Sequence, residues 1–148
     1  MEIGKIRNSI IEFKKAFGIS NFSKELTDTE FNLIAIVNEY CENEQNINLT
    51  TISDKLNITR SAVTQLATKL ELKGYIEKYT LESNKKEIYL KIGNKAIKQY
   101  QFIMDQVSIF FERLFNEVGQ EGIDNIQKYI DIAKKIGKEM KEEIELHA

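Results

Sequence analysis

Residues 50–74, Thr50 to Gly74, read TTISDKLNITRSAVTQLATKLELKG. Their pattern predicts two short helices joined by a tight turn. Ile52 and Leu56 are four apart and share one face of a first helix over about Thr51–Leu56. Thr50 is the residue type that caps such a start. Asn57 tolerates a left-handed backbone, so it ends that helix and turns the chain. Thr59 then caps a second helix, in which Val63, Leu66 and Leu70 form a buried stripe. Gly74 stands where that helix stops.

The outward face of the second helix carries Arg60, Ser61, Thr64, Gln65, Thr68 and Lys69, with no acidic residue before Glu71. These side-chain types read base edges or grip phosphates. A helix-turn-helix sets the N-terminal residues of its second helix against the bases. Arg60, Ser61, Thr64 and Gln65 are therefore the expected base or near-phosphate contacts, and Lys69 is the expected backbone contact. Thr50, Thr59 and Thr68 complete the expected DNA-binding set. Taken alone, such a face also suits a solvated amphipathic helix. The residues after Gly74 shift the balance.

Tyr75–Thr80 (YIEKYT) alternates like a strand, and so does Glu87–Ile92 (EIYLKI), with Ile88, Leu90 and Ile92 on one face. The polar connection LESNKK puts Asn84, Lys85 and Lys86 near its tip. A β-hairpin directly after a helix-turn-helix makes a winged helix-turn-helix. The two tip lysines suit phosphate contact or minor-groove insertion.

With these elements in this order, the chain resembles the MarR (multiple-antibiotic-resistance regulator) family of bacterial transcription factors. LTTISDKLNITRSAVTQLATKLELKGYIEK (Leu49–Lys78) is similar to that family's DNA-binding core, and LTDTEFNLIAIV (Leu26–Val37) to its second helix. The resemblance implies a homodimer that represses by blocking polymerase. It also implies a pocket for a small aromatic or lipophilic effector, for which Phe13, Phe17, Tyr40, Tyr100 and Met104 are candidates. Aromatics at this spacing also serve as plain core. The wing departs from the family. Its usual Asp-Arg-Arg run is here Asn84, Lys85 and Lys86, which keeps the charge but loses the flat arginine fork.

The rest of the chain fits around this lobe. Its 148 residues, 42% hydrophobic and 30% charged, suit one soluble domain. No apolar run approaches the ~20 residues of a membrane span. MEIGKIRNSIIEF has scattered charges and does not read as a signal peptide, so a cytoplasmic location is expected. Net charge is −2 overall, which opposes nucleic-acid binding. Leu49–Ile92, however, holds eight basic and five acidic residues, and the flanking segments are acidic. A local basic patch is the relevant footprint, and a dimer doubles it.

A first helix is expected over residues 2–17, with Ile3, Ile6, Ile10, Phe13 and Phe17 recurring every three or four residues. Its apolar face reads as packing on a partner subunit. Thr27-Asp28-Thr29-Glu30 is a capping box. It opens a helix over about Asp28–Tyr40, buried through Phe31, Ile34 and Val37. CENEQNIN is a polar loop into Leu49, which is expected to pair with the wing as a short strand. A long helix over about Lys95–Glu117 comes next, with a wide stripe including Tyr100, Met104, Phe111 and Phe115. Gly119 and Gly122 mark a break before a last helix over about Ile123–Glu145. The expected fold is therefore mainly α with a small β-hairpin wing. The winged helix-turn-helix lobe (27–92) is flanked by terminal dimerisation helices (1–18 and 95–146) in a single domain. Two copies related by a two-fold axis would bind a palindromic site on double-stranded DNA, with recognition helices about 34 Å apart.

Catalytic and metal chemistry is nearly absent. His147 is the single histidine and reads as part of a disordered tail. A structural zinc site needs about four Cys/His ligands, and this chain has two such residues far apart. No placed nucleophile–base pair or phosphate-binding glycine loop is evident. No enzyme, cofactor or metal is expected. Cys41 ends the second helix and precedes Glu42 and Glu44, surroundings that disfavour a reactive thiolate. It reads as a part-buried structural thiol. Oxidant-sensing relatives carry their cysteine in or near the first helix. The rival class is a winged-helix module that binds protein instead of DNA.

Overall fold

The computed structural model describes residues 2–148. The order of elements is helix α1 (Ile3–Ala16), a 3-10 turn (Ile19–Asn21), α2 (Asp28–Glu42), strand β1 (Ile47–Asn48), α3 (Leu49–Leu56), α4 (Arg60–Leu72), β2 (Ile76–Leu81), β3 (Asn84–Ile92) and α5 (Asn94–His147). The chain groups into two compact units. One ends at Gln106 and the other is Val107–Ala148.

The first unit holds the core. α2 starts at the expected capping box: the Glu30 backbone N–H donates to Thr27 Oγ1 at 3.2 Å, and the Thr27 N–H donates to Glu30 Oε2 at 3.0 Å. Its inner face buries Phe31, Leu33, Ile34 and Val37. The stripe of α4 is Val63, Ala67 and Leu70. Leu66, expected in that stripe, is half-buried, because the helical face turned inward centres on Ala67. Ile47, Ile52, Tyr75, Ile76 and Leu90 are buried in the same core.

The sheet is antiparallel in the order β1-β3-β2. Ile47 faces Leu90 and Asn48 faces Tyr89 across β1 and β3. The short strand precedes Leu49, which begins α3. The helix start is also shifted from expectation. Asn48, not Thr50, is the cap, with its Oδ1 accepting from the Thr51 N–H at 2.8 Å. Thr50 lies inside the first turn. One residue ends the edge strand and caps the helix, so no separate cap is needed.

The wing is longer than its alternation suggested. β3 begins at Asn84, so Glu82 and Ser83 form the tip, and Lys85 and Lys86 are the second and third residues of the strand. Polar alternation on an exposed hairpin carries little burial signal, which is why the sequence alone shortened it.

α1 buries none of its residues within the chain. α5 is interrupted once, at Gly119, whose φ of 66° and ψ of −178° are open to glycine. Gly122, the other expected breaker, is helical. The helix extends to His147, so that residue is not in an irregular tail.

Gly93 joins the wing to α5 at a crowded point. A Cβ there would lie 2.5 Å from the Gly74 carbonyl oxygen and 3.0 Å from the Tyr75 carbonyl carbon. Gly137 has nothing within 4 Å of a built Cβ. Gly93→Ala should therefore lower unfolding free energy by about 1–3 kcal/mol. Gly137→Ala should raise it by up to about 1 kcal/mol. Urea unfolding of the two variants checks the contrast, and equal effects would contradict it.

Candidate nucleic-acid interface

The turn between α3 and α4 fixes the geometry of the site. Asn57 has φ 53° and ψ 44°, the expected left-handed conformation. Ser53 secures it from both sides: its hydroxyl donates to the Ile58 carbonyl at 2.9 Å, and its carbonyl accepts from the Ile58 N–H at 3.2 Å. Thr59 Oγ1 then accepts from the Ala62 N–H at 3.1 Å and starts α4. Burial of Val63, Ala67 and Leu70 turns the opposite face outward. Thr59, Arg60, Ser61, Thr64, Gln65, Thr68 and Lys69 are all exposed on it or at its start.

Within that face the side chains differ in freedom. Among the described residues, no carboxylate lies within ion-pair distance of Arg60 or Lys86. The Thr64 hydroxyl donates to the Arg60 carbonyl and the Thr68 hydroxyl to the Thr64 carbonyl, each at 2.9 Å. Their methyls and remaining lone pairs stay available to a base edge. Thr68 Oγ1 also accepts from Lys78 Nζ at 2.8 Å, and Lys78 lies 3.3 Å from Glu71. Lys78 was not among the expected site residues. Only the packing of β2 beside α4 brings it to this face, and strand alternation does not encode that. On the wing, Lys85 lies 3.6 Å from the exposed Glu82. Thr50 is exposed in the helix before the reversal.

Lys69 has a different partner. Its Nζ lies 2.6 Å from Glu30 Oε1, and Lys73 Nζ lies 3.7 Å from the same oxygen. The Glu30 side chain is 1% exposed. Burial pushes its carboxyl up, but Lys69, the Thr27 N–H and Lys73 together outweigh that and hold it below its ordinary value. Beside it, the Tyr75 hydroxyl donates to Glu25 Oε2 at 2.5 Å and Lys73 Nζ donates to the Glu25 carbonyl at 3.2 Å. Burial, then the Glu25 carboxylate, push the Tyr75 phenol up to about 12, so it remains a donor at neutral pH.

The effector candidates are distributed among several contacts. Phe13 and Phe17 pair with ring centroids 4.5 Å apart, and Tyr100 stacks on Phe31 at 5.5 Å. Lys55 Nζ sits 5.5 Å from the Tyr40 ring centre. Phe17, Tyr40, Tyr100 and Met104 are half-buried, and Phe13 is exposed. Cys41 is a free, half-buried thiol. Among the described residues, no group of three His, Cys, Asp or Glu side chains is placed to hold a metal, and no helix is long and apolar enough to cross a membrane.

A left-handed turn between two short helices, an exposed basic and polar second helix, and a three-stranded sheet with a lysine-bearing wing define a winged helix-turn-helix, the DNA-binding lobe of transcriptional regulators. Residues 26–88 match the MarR family model. Similar proteins include Bacillus subtilis YhjH, an uncharacterized HTH-type transcriptional regulator. It is 27% identical over 124 residues, covering 81% of this chain and 69% of that protein. PchR of the same organism, an HTH-type transcriptional regulator, is 27% identical over 88 residues, and the match spans 57% of this chain and 52% of that protein. Streptococcus pneumoniae FabT, solved in complex with DNA, has the same fold with a TM-score of 0.78, 16% identity and coverage of 94% and 99% of the two chains. PcaV from Streptomyces coelicolor, solved with its natural ligand, gives 0.70 with 11% identity, covering 93% of each chain.

The Glu30 site has a pH signature. Its folded carboxyl titrates below its ordinary value of 4.5. The stability it contributes is therefore full above that value and is lost as pH falls through the lower, folded one. The unfolding free energy of the unaltered chain minus that of Glu30→Gln should hold steady from about pH 7 down to the ordinary carboxyl range and shrink below it. A difference that does not change with pH would contradict the ion pair.

Proposed function

We propose that the chain is a homodimeric repressor that reads a palindromic operator with α4 and releases it when a small effector binds. The observation that carries the reading is the face of α4. Arg60 stands at its first residue with no carboxylate paired to it among the described residues, and Ser61, Thr64 and Gln65 lie beside it, exposed. Arg60 and Gln65 are the bidentate groups for guanine and adenine edges, and Ser61 and Thr64 take adjacent bases or phosphates. Thr50, Thr59 and Thr68 border the face, as does Lys69 with its ammonium on Glu30. Lys85 and Lys86 reach the backbone from the wing.

Dimerisation is supported by what the chain leaves uncovered. Ile3, Ile6, Ile10 and Phe13 of α1 are 66%, 50%, 62% and 49% exposed. In the second unit, Ile130, Ile136, Met140 and Ile144 leave a further apolar stripe open. Exposed apolar stripes of this kind, each along one helix, mark surfaces for a protein partner. An aromatic or lipophilic effector is assigned to the half-buried rings of Phe17, Tyr40 and Tyr100 with Phe13 and Met104, whose apolar surface suits such a ligand. Blocking of polymerase is the mode of repression.

Arg60→Ala should lower affinity for the selected operator by at least about tenfold and relax the preference at one base pair. Fluorescence anisotropy with single-base operator variants measures both. Unchanged affinity would move the protein-binding module to first place. Ile10→Asp should convert the dimer to monomer in sedimentation equilibrium and weaken operator binding with it. A chain that is monomeric before substitution would remove the dimer from the reading.

A further inference from the structure

Glu30 is a charged side chain sealed in the core of the lobe, and the DNA-facing helix supplies its counter-charges. We infer that Lys69 serves DNA recognition through Glu30, as a positioning residue that sets the pose of α4 in the groove, and is not a phosphate contact. This inference rests on the DNA-binding reading above.

Three observations support it. The first is distance and burial. Lys69 Nζ is 2.6 Å from an oxygen of a carboxylate that is 1% exposed, and Lys73 is the next cation at 3.7 Å. Were Lys69, whose side chain is 56% exposed, to swing fully onto a phosphate, it would leave a buried carboxylate whose remaining partners are Lys73 and the Thr27 N–H. That penalty exceeds what one exposed ion pair returns. The second is that Glu30 cannot follow. Its other oxygen accepts from the Thr27 N–H, and its own N–H donates to Thr27 Oγ1, so the capping box fixes the carboxylate on α2. The third is that α4 is held at several points along one flank. Lys73 Nζ donates to the Glu25 carbonyl, and the Tyr75 hydroxyl, just past the helix, donates to the Glu25 carboxylate. On β2, Lys78 holds Thr68 and Glu71. Among these ties to other elements, Lys69 on Glu30 and Lys78 on Thr68 stand nearest the base-reading residues, and only the first reaches a sealed carboxylate. Its loss leaves the sealed carboxylate of α2 with Lys73 as its one cation among the described residues and shifts α4 against α2 along this flank.

A phosphate contact and a positioning residue leave different marks. Losing a phosphate contact weakens all sequences alike and lowers the slope of log affinity against log salt by about 0.9 per protomer. Losing a positioning residue lowers the ratio of operator to scrambled-DNA affinity and leaves the slope unchanged. The test uses the full chain, Lys69→Met, and the double variant Glu30→Gln with Lys69→Met, in salt titrations by anisotropy. Circular dichroism melts confirm that each is folded. Lys69→Met should lose on the order of tenfold in the operator-to-scrambled ratio at constant slope. The double variant, with no buried charge left unpaired, should recover most of that loss even if the single variant is destabilised. A slope reduced by about 0.9 per protomer, or a double variant no better than the single one, would overturn the inference while leaving the DNA reading in place. Failure of the unaltered chain to bind any DNA selectively would overturn both.

Discussion

The structure of the lobe depends on the chain reversal at Asn57. A left-handed residue costs about 1–2 kcal/mol for most side chains, and asparagine is among the few that accept it routinely. Its backbone conformation, with Ser53 bonded to Ile58, sets where α4 begins and which way it points. Once the helix starts at Thr59, its 3.6-residue period does the rest. Val63, Ala67 and Leu70 must enter the core, so Arg60, Ser61, Thr64 and Gln65 must leave it. An exposed polar and basic surface is thus produced by burial of the face opposite to it. Wing and α5 are joined through Gly93, where the backbone after β3 passes too close to Gly74 for any side chain.

Local chemistry made the helix-turn-helix legible. The capping box at Thr27 and Glu30, the turn at Asn57, the cap at Thr59 and the stop at Gly74 each act within five residues, and each is where the sequence placed it. Features set by distant partners were not legible. Asn48 displaced Thr50 as a cap because β1 ends there, and β1 exists only because β3 lies alongside. The capping residue Glu30 was visible as a helix signal, but its pairing with Lys69 spans thirty-nine positions and needs α2 and α4 packed together. Lys78 reached Thr68 for the same reason. The wing strands were shortened because an exposed hairpin carries no burial pattern to mark its length.

The charge distribution has the same division of labour. A net charge of −2 would repel DNA if spread evenly, and it is not spread evenly. The basic excess lies in Leu49–Ile92, with eight basic and five acidic residues, and the segments before and after it are acidic. Within the lobe, Lys69, Lys73 and Lys78 face carboxylates, whereas Arg60 and Lys86 have no such partner among the described residues. The basic residues therefore divide in two: part of them is tied to carboxylates that join α4 to its neighbours, and part of them is open to solvent. A second copy would double the open part.

The most direct measurement is fluorescence anisotropy of the purified chain with DNA from upstream of its own coding sequence, against scrambled DNA of equal length, at low and moderate salt. Selective binding whose affinity falls steeply as salt rises is the predicted result, the joint mark of base reading and phosphate neutralisation. Equal binding to scrambled DNA, or none to either, would contradict it.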